Sequence, residues 1–319
     1  MSHVTLDWHK NFNDKSHQNK IHLLASSYKE IIKNEGINED LSSELFNLYY
    51  PLADWIAAQH TDTPLILGIN GAQGSGKSTL CLIIEFLLLH GFNKSALTLS
   101  IDDFYYSKSK RNQLAATIHP LLMTRGVPGT HDVEHLRSVL MDFKNNHLME
   151  KLKLPLFDKS IDDVVPENLW KEQNAKVDII LFEGWCVGAT AQTQSQLDLA
   201  INELEEKEDP NGVWRRYVNE QLKSSYQNIF KLIDYQVMLK VPSMSKIFEW
   251  RSLQEEKLLD KCRTQEMDLI NIMSKTSLTR FLMHYERITA ECLQTMPQTA
   301  DIVLQLNDRH LLDKVIFND

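Results

Sequence analysis

Cysteine is scarce in this 319-residue chain, with only Cys81, Cys186, Cys262 and Cys292, far apart and forming no C-x-x-C pair. That spacing supports neither a zinc ribbon nor a disulfide scaffold. Long apolar runs are also missing. The richest stretch, CLIIEFLLL at 81–89, carries Glu85 and is too short to cross a bilayer. The opening MSHVTLDWHKNFNDK is polar and lacks the apolar centre of a signal peptide. A soluble, cytoplasmic protein is expected. Basic residues are in deficit, 34 Lys and Arg against 43 Asp and Glu, for a net charge of −9. Polyanion binding draws on Lys and Arg, and no aromatic–basic stripe is visible, so neither nucleic acid nor membrane is an expected partner. Local basic pockets are still compatible with this balance. What is present is an ordinary globular mixture, 43% hydrophobic and 24% charged.

Hydrophobic periodicity divides the chain in two. The first sixty residues read as helical: Leu41, Leu45, Leu48 and Leu52 recur at helical spacing, with Pro51 marking a break or the first turn of a following helix. Residues 1–62 are therefore expected to form a helical extension packed on a domain spanning 63–319. There the pattern changes to LILGIN (65–70), a short apolar run suited to a buried parallel strand. A helix face of Leu80, Ile83, Ile84, Leu87 and Leu88 follows, with His90-Gly91 as its expected end, and then the strand-like ALTLSI (96–101). Strand, helix and strand in so few residues make a βαβ unit. Further strands are expected at 177–183, 234–241 and 300–306, and helices at 132–147, 212–231, 245–262 and 276–293. In the last of these Leu278, Phe281, Leu282, Tyr285 and Ile288 share a stripe. The acidic ELEEKEDPNG (203–212) reads as a solvated loop or insertion. Alternation of this kind predicts an α/β fold, a doubly wound and mostly parallel sheet with helices on both faces.

Between the first strand and its helix lies Gly71, Ala72, Gln73, Gly74, Ser75, Gly76, Lys77 and Ser78, a full match to G-x-x-x-x-G-K-[ST], followed by Thr79. Glycines let backbone N–H groups converge on phosphate oxygens, and the helix N-terminus adds partial positive charge. The context is that of a P-loop NTPase-type nucleotide site. Lys77 is expected to reach the β- and γ-phosphates of ATP, the Ser78 hydroxyl to ligate Mg²⁺, and Thr79 to touch the α-phosphate. The plain alternative is a glycine-rich turn with no nucleotide.

Three later segments bear on who receives the phosphoryl group. Ser100-Ile-Asp-Asp-Phe-Tyr-Tyr106 puts Asp102 and Asp103 at the end of a strand, where ligands bind in such sheets. A carboxylate there suits a base for an acceptor hydroxyl; it equally suits a helix N-cap. TRGVPGTHD (124–132) is stiffened by Gly and Pro and carries Arg125, His131 and Asp132. Asp132 has the alternative of capping the following helix, and His131 that of packing. Finally, the apolar strand IILFEGW ends in Glu183, where a magnesium-holding carboxylate belongs.

With these segments in this order, the chain resembles the D-glycerate 3-kinase family of P-loop small-molecule kinases, and is more distantly similar to uridine kinase, phosphoribulokinase and pantothenate kinase. The matching stretches are GINGAQGSGKST (68–79), LSIDDFYYS (99–107), TRGVPGTHD (124–132), LPLFDKS (154–160) and LFEGW (181–185), with VWRRYVNEQL (213–222) and FEWRSLQEEKL (248–258) also alike. The resemblance implies transfer of phosphate from ATP to a small hydroxyl compound, most simply D-glycerate, with Asp102 as base and Lys77, Glu183 and Arg251 completing the catalytic set. It places Asp103, Tyr105, Arg125, His131, Asp132, Asp158 and Lys159 on the substrate side. Phe157 departs from the Tyr of the relatives, which removes a phenolic contact. Arg251 falls where the relatives carry a lid helix and would close on the phosphates; the alternative is an ordinary surface Arg paired with Glu255 at i+4, and Trp250 beside it is alternatively plain core. Another small acceptor (a nucleoside, a pantothenate-like acid or a sugar phosphate) would fit the same motifs, as would an ATP-binding protein without catalysis. A GTPase is disfavoured because Asn93-Lys-Ser-Ala96 lacks the Asp of the guanine-reading element.

Overall fold

A computed structural model describes residues 15–37, 42–145, 152–173, 176–264 and 273–318. Leu41 of the expected N-terminal stripe, and positions 146–147 of the helix expected over 132–147, lie outside the described residues.

Helix α1 (Lys15–Asn34) precedes α2 (Tyr50–Gln59), which a π-helical turn, Leu45–Tyr49, leads into. Pro51 lies within a helical run that is continuous from Ser42 to Gln59, and its missing N–H falls directly after the π-helical turn that interrupts the regular hydrogen-bond ladder. Strand β1 (Leu65–Gly71) runs into the loop and helix α3 (Lys77–Phe92), then β2 (Ala96–Ser100). Helices α4 (Lys108–Thr117) and α5 (Val133–Lys144) follow, then β3 (Ile179–Gly184), α6 (Glu203–Glu208) and α7 (Val213–Gln221). The chain ends in β4 (Tyr235–Lys240), α8 (Met244–Thr264), α9 (Lys275–Thr295), β5 (Ile302–Leu306) and β6 (Leu312–Phe317).

The sheet order is β6-β5-β4-β1-β3-β2. All pairings are parallel except β5 with β6. The antiparallel edge is not announced by the sequence; the short connection 307–311 leaves no room for the crossover that a parallel partner needs. Side chains of β1 and β3 alternate between two cores. Ile66, Ile180 and Phe182 face one with α5 and α9, while Leu65, Leu67, Ile69, Ile179 and Leu181 face the other with α1, α2 and α3. Burial on both faces is why these strands read as unbroken apolar runs. The chain leaves β1 through α3 to β2 and later fills the gap between them with β3. That reversal opens a crevice at the strands' C-terminal ends.

Two local expectations are corrected. Helix α3 runs past Gly91 to Phe92 and ends at Asn93, whose φ of 53° takes the left-handed turn. Gly91 instead lies buried against Leu24 and Tyr50. The acidic segment 203–212 is not a solvated loop: α6 is capped by the Asn202 side chain, and Leu204, Glu205 and Asp209 are buried. Glu205 meets the Arg287 guanidinium of α9 through both carboxylate oxygens. Asp209 accepts from the backbone N–H groups of Trp214 and Arg215 and pairs with the Arg215 side chain. Burial of these acids is tolerable because each is paired and hydrogen-bonded.

Candidate active site

The loop between β1 and α3 is shaped by two glycines in the left-handed region, Gly74 at φ 77° and Gly76 at φ 90°. A side chain at either position would be strained. No side chain caps the N-terminus of α3, so its first-turn N–H groups face the crevice without a partner from a cap. Lys77 Nζ folds back onto the Ala72 carbonyl at 3.2 Å, while Ser78 is exposed at the helix start. Two polar atoms of the loop, Ser75 Oγ and Gln73 Nε2, are buried with no hydrogen-bond partner. Thr79 Oγ1 donates to Glu35, just beyond α1, at 3.3 Å.

Beside the loop, Glu183 ends β3 in register with Ile69 of β1 and Ser100 of β2. Its side chain is only 6% exposed and has no hydrogen bond or ion pair with any described residue. A carboxylate with no internal partner beside the loop is a ready ligand for a cation. Asn70 secures the neighbouring turn by donating to the carbonyls of Trp185 and Val187.

Helix α8 lies against the loop, with Trp250 Cβ and the Arg251 backbone N–H next to Gly74. Trp250 is buried and stacks on His310 with ring centroids 4.1 Å apart. Arg251 pairs with Glu255 and also reaches Gln254 at 3.3 Å. The structure therefore holds the Arg251 guanidinium on its own helix, paired with Glu255 one turn further along.

A second cluster is built on the 3-10 turn Ile101–Phe104, whose start Ser100 caps by accepting from the Asp102 N–H. Asp102 Oδ1 accepts from the Tyr105 hydroxyl at 2.8 Å and Oδ2 from Lys159 Nζ at 2.7 Å. Burial pushes the Asp102 carboxyl up, but the Lys159 ammonium and these hydrogen bonds outweigh it and hold the group below its ordinary range. Asp103 behaves in the opposite sense. Burial, aided by the charges of Asp102 and Glu183, pushes it up to about 6 despite the hydrogen bond from the Phe157 N–H. Adjacent carboxylates thus titrate apart.

Lys159 and Phe157 come from a short hairpin, Phe157–Asp158 paired with Asp163–Val164, that docks on the IDDFYY segment. Phe157 is buried, edge-on to Tyr105, and two guanidiniums lie over its ring, Arg111 at 5.8 Å and Arg125 at 5.5 Å. Phe157 thus serves as a largely dry cation–π platform. Arg125 also pairs with Asp162. The Tyr285 hydroxyl of α9 donates to the Arg125 carbonyl at 3.0 Å, and Trp185 Nε1 donates to the Gly126 carbonyl at 3.0 Å. His131 is buried, stacked on Tyr105 at 4.4 Å, with Nδ1 2.6 Å from the Tyr226 hydroxyl and Nε2 without a partner. Burial lowers its imidazole to about 4, so it is neutral at physiological pH.

Two of the expected substrate residues are engaged locally. Asp132 caps α5 by accepting from the His135 N–H, and Asp158 accepts from the N–H and hydroxyl of Ser160. Asp102, Asp103, Tyr105, Lys159, Arg125 and His131 do converge on one region. Arg111, Asp162, Trp185, Tyr226 and Tyr285 join them without having been singled out from the sequence. Arg111 and Asp162 carry no motif, and Tyr285 is indistinguishable from the core stripe of its helix.

No family model matches the chain. The uncharacterized kinase mug58 of Schizosaccharomyces pombe is 34% identical over 230 residues, 70% of this chain and 78% of that protein. The chloroplastic D-glycerate 3-kinase of Arabidopsis thaliana is 29% identical over 235 residues, 67% of this chain but 48% of its own length, so the chain spans about half of that enzyme. The probable ATP-dependent kinase TDA10 of Saccharomyces cerevisiae is 29% identical over 241 residues, covering 70% of this chain and 77% of the yeast protein. In fold, a D-glycerate 3-kinase from Cryptococcus neoformans superposes with a TM-score of 0.64 over 93% of this chain and 98% of the other, at 18% identity. The sheet order with its phosphate loop and these relatives agree, and the chain belongs to the D-glycerate 3-kinase-like family of P-loop small-molecule kinases.

Proposed function

We propose that this kinase transfers the γ-phosphoryl group of Mg·ATP to a hydroxyl of D-glycerate, with Asp102 as the base. The observation that carries the reading is Asp102 itself, a side chain 25% exposed at the crevice and kept ionised by Lys159. Only two of its roughly four lone-pair directions are taken, so it can still accept the acceptor's proton. Orphaned Ser75 Oγ and Gln73 Nε2, the uncapped start of α3 and Glu183, which has no partner among the described residues, suit a triphosphate and its metal. Ser78 and Glu183 would hold Mg²⁺, which would neutralise negative charge on the phosphates. Lys77 would exchange the Ala72 carbonyl for phosphate oxygens, and Thr79 would leave Glu35 to touch the α-phosphate. Arg251 reaches the phosphates by giving up Glu255, adding positive charge where negative charge develops. Most of the rate gain comes from positioning and charge, since phosphoryl transfer needs little covalent help.

Glycerate brings a carboxylate, and Arg125 is the cation shaped for it; Lys159 is committed to Asp102. Release of ADP from Mg·ATP should be measured with D-glycerate, uridine, ribulose 5-phosphate and pantothenate, the last being the acceptor in the name of relatives 22% identical. Stimulation by D-glycerate is expected. Lys77→Ala abolishes it, and Asp102→Asn lowers kcat by about 10²- to 10⁴-fold while ATP still binds. No stimulation by glycerate removes that substrate, undiminished kcat in Asp102→Asn removes the base, and ATP binding without turnover on any acceptor leaves a non-catalytic nucleotide-binding protein.

A further inference from the structure

The hairpin loop that delivers Lys159 to Asp102 also delivers Asp162 to Arg125. Of the three acids in 158–163, Asp158 is satisfied by Ser160, and Asp163 accepts from the backbone N–H groups of Lys108 and Val164. Asp162 alone meets guanidiniums, Arg125 through Oδ1 and Arg111 through Oδ2 at 3.1 Å. Its φ of 55° is a left-handed conformation that costs a residue with a Cβ, so contacts rather than backbone preference set its place.

The two arginines depend on it unequally. Arg111, 1% exposed, is held by the carbonyls of Tyr106 (3.1 Å), Met123 (2.7 Å) and Asp162 itself (2.6 Å). Those three carbonyl bonds survive without the carboxylate, but a guanidinium this buried then keeps neutral partners only, so variants at Asp162 are expected to lose stability as well. The Arg125 guanidinium hydrogen-bonds among the described residues only to the Asp162 carboxylate, apart from resting on Phe157. Arg125 and Asp162 are 22% and 35% exposed, which makes the pair weak and open to exchange. A guanidinium on an aromatic platform, facing the crevice and held by one replaceable carboxylate, is an anion site with an internal occupant.

We infer that Asp162 is a specificity-determining residue: its carboxylate stands in for the anionic group of the acceptor, a carboxylate or a phosphate, and yields Arg125 to that group when the acceptor binds. Neutral alcohols cannot displace it and gain nothing from Arg125. The inference rests on the phosphotransfer reading and refines its acceptor to anionic alcohols.

The test compares wild type, Asp162→Asn and Asp162→Gly. Asn keeps the shape and tolerates positive φ. Gly suits that backbone best and retains the carbonyl that Arg111 uses. Calorimetric titration with D-glycerate, ribulose 5-phosphate and glycerol reads affinity directly. Removing the competitor should tighten an anionic acceptor by about two- to five-fold, the worth of an exposed ion pair, and leave glycerol unchanged. The gain should vanish when Arg125→Gln is added. Glycerate or ribulose 5-phosphate, whichever responds, identifies the anion. Unchanged or weaker binding of both anions in both folded variants overturns the inference, as does equal tightening of glycerol. If wild type phosphorylates glycerate and the variants bind it no better, the inference fails alone; if no acceptor is phosphorylated, the phosphotransfer reading fails first.

Discussion

Glu205 offers the sharpest test of how the fold is held, because it is a fully buried acid with a single charged partner. Its carboxylate receives Arg287 Nε at 2.7 Å and Nη2, and it also accepts from the Ile201 N–H at 3.1 Å. Arg287 spends its remaining donors on Gln192 Oε1 and the carbonyls of Gln196 and Leu199. Glu205→Gln keeps the volume and removes the charge, leaving a guanidinium 7% exposed with neutral partners only. Breaking one side of a buried pair costs about 3–5 kcal/mol. At about 2 °C per kcal/mol for a chain of this length, Tm should fall by about 6–10 °C. An internal control lies on the same two helices. Arg280 and Glu208 are paired with side chains 48% and 42% exposed, and Arg280→Gln should cost no more than about 1 kcal/mol. Urea and thermal unfolding followed by circular dichroism, with the variants under identical conditions, measure both. A loss under about 1 kcal/mol for Glu205→Gln, or equal losses for the two, would refute the claim that burial decides the worth of these pairs.

Two further outcomes concern the acceptor site. A base must be ionised, so activity is lost as pH falls through its pKa. With Asp102 as base, held below the ordinary carboxylate range, kcat/KM stays level down to about pH 5; an acid limb at about 6, falling tenfold per pH unit, would transfer the role to Asp103. Gly126 has φ 134°, and a Cβ there would lie 2.1 Å from the Tyr285 hydroxyl oxygen. Gly126→Ala should therefore displace Tyr285 from the Arg125 carbonyl and raise the acceptor KM by about tenfold with little change for ATP. Varying each substrate in turn checks this, and equal effects on both would contradict it.

The five parallel strands, the phosphate loop and the stripe of α9 were legible because each rests on neighbours in sequence. Apolar runs mark strands buried on both faces, glycines mark a loop that must approach phosphate, and a 3.6-residue stripe marks one helix face. Pairwise exchanges over long separations were not legible. Nothing local to Glu205 announces Arg287, so an acidic run that resembles a solvated loop proved to be a short helix with one face buried. Nothing in SIDD announces that Asp162 returns to Arg125, 37 positions away, or that Tyr285 reaches the same residue from 160 positions away. Whether Arg251 faces phosphate or Glu255 was likewise open, since one helix turn makes both geometries available, and in this structure Glu255 takes it. The sequence alone determined the five parallel strands, the loop and the presence of acids at the strand ends. Tertiary packing decided which charges neutralise one another and which are left for a ligand, because that choice depends on burial and on partners that only folding brings within hydrogen-bond reach.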